Sequence, residues 1–293
     1  MSEPRKKIRF IINPKSGIGK QQKIEKLIAS HIDARLFDHE ICYTQAKAHA
    51  TELSREAAER NYDAVVAVGG DGTINEVAQG VVHTETAIGI IPAGSGNGLA
   101  HFLNIPLKTR KGLDIINRFR VKPMDTGEIN GRLFVSIAGV GFDSHVAERF
   151  SQSKKRGFWA YARIAFTEYI KYNPKRFRIY VNGKKINRSA FMLSFANSDQ
   201  FGFNARIAPT AVIDDGYLDF CIVRKPLIYY AAFVIPFIFM GLAHKTPFVN
   251  IIRAKEIRVI QHKNNIAHID GDEINMGKEL NVRILPASLR IIW

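Results

Sequence analysis

Cysteine is scarce in this sequence, and with it go the folds that depend on it. The two that occur, Cys42 and Cys221, each lie in an apolar, strand-like stretch. Two such residues build no disulfide framework, and their spacing matches no metal motif, so both are expected to be reduced core residues of a cytoplasmic protein. Neither a GxxxxGK[ST] loop nor a GxGxxG fingerprint occurs anywhere, which disfavours a dinucleotide-binding Rossmann site. The opening MSEPRKKIRF carries charge without the apolar run of a signal peptide. The uncharged stretch at residues 227–243 is interrupted by Pro236 and Gly241. It falls short of the roughly 20 residues of a spanning helix, so a packed or interfacial helix pair is expected there instead. Internal repeats and low-complexity segments are absent too.

What is abundant is apolar residues and positive charge. The 293 residues are 46% hydrophobic, enough for packed cores, and the length suits two domains or one large one. The net charge of +15 is concentrated: residues 149–188 hold twelve Lys or Arg against the single acid Glu168, a net +11. Phe150, Phe158, Trp159, Tyr161, Phe166, Tyr169 and Tyr172 are interleaved with them. That pattern fits the surface of an anionic bilayer, where each Lys or Arg gains on the order of 1 kcal/mol. Charge alone would also fit nucleic acid or an ordinary solvated face.

The two halves read differently. In the first, short apolar runs at 8–12, 40–43, 64–68 and 87–91 alternate with helical spacing at 20–31, 45–60 and 74–82. This alternation predicts a layered α/β domain with a largely parallel sheet, whose ligands belong at the carboxyl ends of the strands. After about Lys122 strands dominate, at 133–137, 177–181, 184–186, 191–195, 217–223, 256–260, 266–269, 280–285 and 289–293. Asn182-Gly183 predicts a type I′ hairpin. The expected fold class is α/β plus β: residues 1–122 with the terminal strand 286–293, and a β-rich, mostly antiparallel sandwich-like domain over 123–285.

Three glycine-rich loops follow strands of the first half. Gly69-Gly70-Asp71-Gly72-Thr73 enters a helix, and backbone N–H groups at a helix start attract phosphate. An acid inside such a loop would repel phosphate unless Mg²⁺ stands between them, so Asp71 points to a metal–nucleotide. On its own the loop serves equally as a tight turn. Asn13-Pro14-Lys15-Ser16-Gly17 and Gly94-Ser95-Gly96-Asn97-Gly98 offer similar small polar residues. Three loops that can meet at one sheet edge favour a nucleotide over nucleic acid.

NPKSG, GGDGT-x-NE, PAGSGN, DDGYLD and the later DGD, in this order along nearly the whole chain, resemble the diacylglycerol kinase catalytic-domain superfamily, which includes bacterial lipid kinases and sphingosine and ceramide kinases. GGDGT alone would be shared with NAD kinases. The resemblance implies that ATP is held by Asn13, Thr44, Gly70, Asp71, Gly72, Thr73, Ile74, Asn75, Glu76 and Ser95. Asp71 would act through Mg²⁺, and Asp125 would join the water–Mg²⁺ network. Asp215 and the carbonyls of Val212 and Tyr217 would bind a second, structural Mg²⁺. Without the resemblance, Asp125 and Asp215 read as plain turn carboxylates.

Relatives carry Asp-Gly-Glu where this chain has Asp270-Gly271-Asp272-Glu273. The general base towards the lipid hydroxyl is therefore expected at Asp272, one methylene shorter, with Glu273 its neighbour. Gly98 replaces an acid that many bacterial relatives have after Asn97, leaving a sphingoid or ceramide-like acceptor open beside diacylglycerol. The expectation is an ATP- and Mg²⁺-dependent lipid kinase, cytoplasmic and peripherally bound to an anionic membrane, without a nucleic-acid partner. A homodimer is compatible with the sequence. The alternative is an NAD kinase-like phosphotransferase acting on a soluble acceptor.

Overall fold

The computed structural model describes residues 4–16, 21–153 and 157–293. Gly17 and Lys20, and three basic residues of the +11 segment, Lys154, Lys155 and Arg156, lie outside these. The chain divides into two compact units, Met1–Met124 with Ala287–Trp293, and Asp125–Pro286.

In the first unit, β1 (Lys6–Ile12), α1 (Gln21–His31), β2 (Phe37–Tyr43), α2 (His49–Glu59), β3 (Ala64–Gly69), α3 (Asp71–Val81) and β4 (Ala87–Pro92) alternate, followed by α4 (Gly98–Phe102) and α5 (Thr109–Arg118). The strands are parallel in the order β2, β1, β3, β4. Residues 64–69 and 87–92 are buried throughout, as central strands covered on both faces must be. On one face Ile24 and Ile28 of α1, Ile32 just after it, and Leu113 and Ile116 of α5 pack on Ile8, Phe10, Val66 and Val68. On the other, buried Arg9 donates to Leu53 O of α2 (2.8 Å).

The second unit takes in most of β5 (Val121–Ile129), then β6 (Arg132–Phe134), β7 (Ile137–Gly141), α6 (Phe142–Ser151), α7 (Phe158–Lys171), β8 (Lys175–Val181), β9 (Lys184–Ala190), β10 (Met192–Ala196), β11 (Leu218–Val223), α8 (Ile228–Phe239), β12 (Val249–Ala254) and β13 (Glu256–Ile269). The last strand, β14 (Asp272–Ile292), begins here, and Ile291 at its far end pairs in parallel with Ile88 inside the first unit. The other pairings of the second unit, from β12 through β11, β10, β7 and β13, are antiparallel. Both faces are buried. Leu218, Phe220 and Ile222 join Ala138, Val140, Val259 and Ile269 in a sandwich core, while Cys221 and Val223 join Ile137, Tyr172 and Phe191 on the opposite side. The β8–β9 turn has φ of 50° at Asn182 and 72° at Gly183, the left-handed pair a type I′ turn needs.

Several expected elements change on folding. The strand expected over 133–137 is broken after Phe134, because the amides of Val135, Ser136 and Ile137 all donate to the Asp270 carboxylate at 2.8, 2.9 and 3.0 Å. The strands expected at 256–260 and 266–269 are one strand, and so are those at 280–285 and 289–293. Helices α4, α5, α6 and α7 and strands β5 and β12 had no counterpart among the expected elements, and the helix pair expected over 227–243 is a single helix, α8, which runs through Pro236 and stops before Gly241.

Candidate functional site

The glycine-rich loops of the first unit converge because β1, β3 and β4 are neighbours. β3 ends at Gly69 and α3 begins at Asp71, so the GGDGT loop is itself the first turn of a helix. The N–H groups of that turn have no acceptors within their own helix and present a partial positive charge. Asn13, just past β1, donates through Nδ2 to Thr73 Oγ1 (3.1 Å) and accepts the Lys15 N–H (2.9 Å). A Cβ on Gly94 would stand 2.4 Å from Gly70 Cα, so the second and third loops touch backbone to backbone and only glycine fits. Asn97 holds the third loop closed, accepting the Gly94 N–H (3.0 Å) and donating to Gly94 O (2.8 Å). Asp71 Oδ2 lies 3.2 Å from where a Gly96 Cβ would be. Thr44, beyond β2, is tied to the same edge by its N–H on Ile12 O (3.0 Å), and Ser95 is exposed on the third loop.

This edge therefore gathers Asn13, Thr44, Gly70, Asp71, Gly72, Thr73 and Ser95. It gives different tasks to the others. Ile74 is buried, and its N–H closes the helical turn on Gly70 O (3.1 Å). Asn75 is buried and accepts from Gln79 Nε2 (2.6 Å). Glu76 caps α2: Ala48 at that N-terminus provides no side-chain cap, and Glu76 accepts the N–H groups of Ala48 (2.9 Å) and Ala50 (3.3 Å).

In the second unit, Asp270 and Gly271 form the β13–β14 turn with φ of 48° and 90°. Asp270 is buried and anchors β7 through the three amides named above. Asp272 and Glu273 are exposed. They pair with Ile269 and His268 respectively, and side chains alternate along a strand. Asp272 thus shares the face of Ile269 and Ile274, against the sandwich core, and Glu273 shares the face of His268.

Around His268 lies a polar cluster that the sequence did not announce. Its Nε2 is 3.0 Å from Asp143 Oδ2, and Ser194 Oγ donates to the same oxygen at 3.3 Å. All three residues are buried. A Cβ on Gly139 would fall 2.3 Å from that carboxylate. Burial, and then the Asp143 charge, push the phenols of Tyr161 and Tyr172 well up. The only sequence signal was Gly139 and Gly141 before Phe142-Asp143, with His268 more than a hundred residues away.

Asp125 is buried and braces the 213–216 loop: its N–H donates to Ile213 O (2.8 Å) and its Oδ2 accepts the Gly216 N–H (2.6 Å). Asp215 in that loop accepts the Tyr217 N–H (2.9 Å) and pairs with Arg253, while Val212 is exposed. Burial pushes the nearby Asp219 carboxyl up, against the lowering effect of Thr210 and Arg253. Among the described residues no group of three His, Cys, Asp or Glu side chains is gathered as a metal cluster. The donors at 212, 215 and 217 are all oxygens, carboxylate and carbonyl, which suits a hard cation such as Mg²⁺. An open recess of about 1000 Å³, lined by Tyr180, Tyr217, Arg258 and Arg283 among others, lies on the second unit and includes no phosphate loop.

A helix-start loop braced by two neighbouring loops at the carboxyl edge of a parallel sheet, joined in one chain to a β sandwich, defines a two-domain phosphotransferase. Residues 7–129 match the diacylglycerol kinase catalytic domain, and residues 136–293 match the YegS C-terminal NAD kinase beta sandwich-like domain. Diacylglycerol kinase of Staphylococcus aureus (strain JH9) is 30% identical over 281 residues, 92% of this chain and 86% of the relative. That of Staphylococcus saprophyticus is 28% identical over 274 residues, 92% and 89% of the two chains. A crystal structure of a diacylglycerol kinase from Bacillus anthracis str. Sterne superposes with a TM-score of 0.74 at 20% identity, covering 98% of this chain and 97% of the other. A second structure from that organism reaches 0.84 at 22% identity with the same coverage, which establishes the fold. The chain belongs to the diacylglycerol kinase family: it is a lipid kinase, an enzyme that phosphorylates an alcohol group.

Proposed function

We propose that this enzyme transfers the γ-phosphate of ATP, as its Mg²⁺ complex, to a hydroxyl of diacylglycerol or a related lipid at an anionic membrane surface. The observation that supports it most is the backbone contact between Gly70 and Gly94, since it brings two glycine-rich loops together beside the first turn of α3, where backbone amides attract phosphate. Asp71 would hold Mg²⁺, with Asp125 contributing through water. A bound Mg²⁺ offsets charge on the phosphates. The amides of the α3 turn and the Ser95 and Thr44 hydroxyls would orient the triphosphate. The Asp272 carboxylate accepts the acceptor's hydroxyl proton as the O–P bond forms and the bond from the γ-phosphorus to ADP breaks. Asp215, whose carboxylate pairs with Arg253, would hold a structural Mg²⁺ together with the Val212 and Tyr217 carbonyls. The exposed bases of α7 and of the β8–β9 hairpin would meet lipid phosphates.

Radiolabelled ATP incubated with a crude lipid extract tests this. The label should enter a chloroform-soluble phosphate monoester. A second reading, NAD phosphorylation, is favoured by the NAD kinase-like sandwich of the second domain. It predicts label in water-soluble dinucleotide and none in lipid.

A further inference from the structure

Helix α8 has no polar face. A surface helix in water buries one stripe and exposes charge on the other. Here Ala231, Val234 and the half-buried Ile238 form the inner stripe, while the outer surface is Leu227, Tyr229, Tyr230, Phe233, Ile235 and Met240. Tyr229 is 81% exposed and Phe233 71%. The apolar surface continues onto α7. The Tyr169 hydroxyl donates to Pro226 O, and Lys225 Nζ donates to Tyr172 O (2.7 Å), tying the end of α7 to the start of α8. Phe166 and Ile170, beside Tyr169 and one turn apart, are both 63% exposed. Scattered exposed apolar residues need no explanation, but a contiguous apolar patch marks a partner.

The chemistry around the patch identifies that partner. Residues 220–255 contain no acid, and five Lys or Arg. Arg224 and Lys225 directly precede α8, and Lys245 follows it. An apolar helix with cations at both ends complements acyl chains beneath anionic headgroups. Tyrosines near its start have the amphipathic ring found at that boundary. The helix has 12 residues, about 18 Å of rise, well below the hydrocarbon core thickness of about 30 Å. Among the described residues no helix is long and apolar enough to cross a membrane. We infer that α8 lies in the plane of an anionic bilayer as an inserted anchor, with Phe166 and Ile170 of α7 extending the inserted surface. This rests on the lipid-kinase reading for its biological sense, and its test does not.

The test uses sedimentation with vesicles of phosphatidylglycerol and phosphatidylcholine that contain no acceptor lipid, without ATP. Phe233→Asp should weaken partition at least about tenfold at every salt concentration, the effect of withdrawing one buried aromatic side chain. Arg224→Ser with Lys245→Ser should weaken it only at low salt. Phe233→Asp should melt like the wild type and keep its turnover of a short-chain acceptor dissolved as monomer. A tryptophan placed by Tyr229→Trp, in a Trp159→Phe background, should be quenched by lipids brominated near the headgroup. Wild-type-like vesicle binding by Phe233→Asp overturns the inference. So does a lipid-free dimer that Phe233→Asp splits while vesicle binding stays unchanged, since α8 would then cover a second copy of this chain.

Discussion

Asp272 is exposed and Asp71 half-exposed, whereas the Asp270 carboxylate is buried. Asp71 stands in the first turn of α3 and is partly exposed. Asp71→Ala should abolish phosphotransfer with a melting temperature close to the wild type, as measured by circular dichroism. Retained turnover would remove its assigned role. Asp270 receives three buried amides. Each buried donor left without an acceptor costs about 1–3 kcal/mol, so Asp270→Ala should lower unfolding free energy by at least about 3 kcal/mol in urea titrations. Asp272→Asn keeps size and removes the basic oxygen. It should lower kcat by about 10²–10⁴-fold with stability within about 0.5 kcal/mol of wild type. Glu273→Gln should cost far less. Because the two side chains fall on opposite faces of β14, the reverse result would move the base to the face of His268 and Asp143.

The elements differ in how openly the sequence shows them. β1, β3 and β4 were legible because continuous apolar runs bounded by glycine leave few alternatives, and the Asn182-Gly183 hairpin because its turn residues dictate the backbone. α7 was hidden, since its aromatics and bases alternate without a clean stripe. β14 reads as two strands because Pro286 interrupts the apolar pattern, and Ala287 takes a φ of 47° there. That the glycine-rich loops share one edge was legible from their place after strands, but the backbone contact between Gly70 and Gly94 was not. Gly94→Ala pushes a methyl group to 2.4 Å from Gly70 Cα. Since backbone cannot move aside cheaply, this change should separate the two loops and raise the KM for ATP at least about tenfold, a loss of about 1.4 kcal/mol of binding; an unchanged KM would show that the third loop does not shape the nucleotide site. At the basic elements, α7 and the β8–β9 hairpin, binding to acidic vesicles should fall steeply from low to physiological salt, where the Debye length is about 8 Å. Equal binding to neutral vesicles, insensitive to salt, would count against docking through these bases.

Across the whole molecule, the α/β-plus-β class follows from the change of hydrophobic period after the first hundred or so residues, and the family from motifs that each belong to one loop. What the sequence could not show is what depends on distant residues meeting: Glu76 capping α2, Asp125 holding the loop of Asp215, and Asp143 with His268. None of these pairs lies within one turn or hairpin, so no local pattern announces them. The proposed reaction carries ATP phosphate to a lipid hydroxyl. It is tested most directly by supplying purified enzyme with radiolabelled ATP and Mg²⁺, and offering diacylglycerol, a sphingoid base and NAD in separate reactions. Label should enter phosphatidic acid or the sphingoid phosphate, and be lost in Asp71→Ala and on chelation of Mg²⁺. Label appearing in the dinucleotide while both lipids stay unlabelled would contradict it.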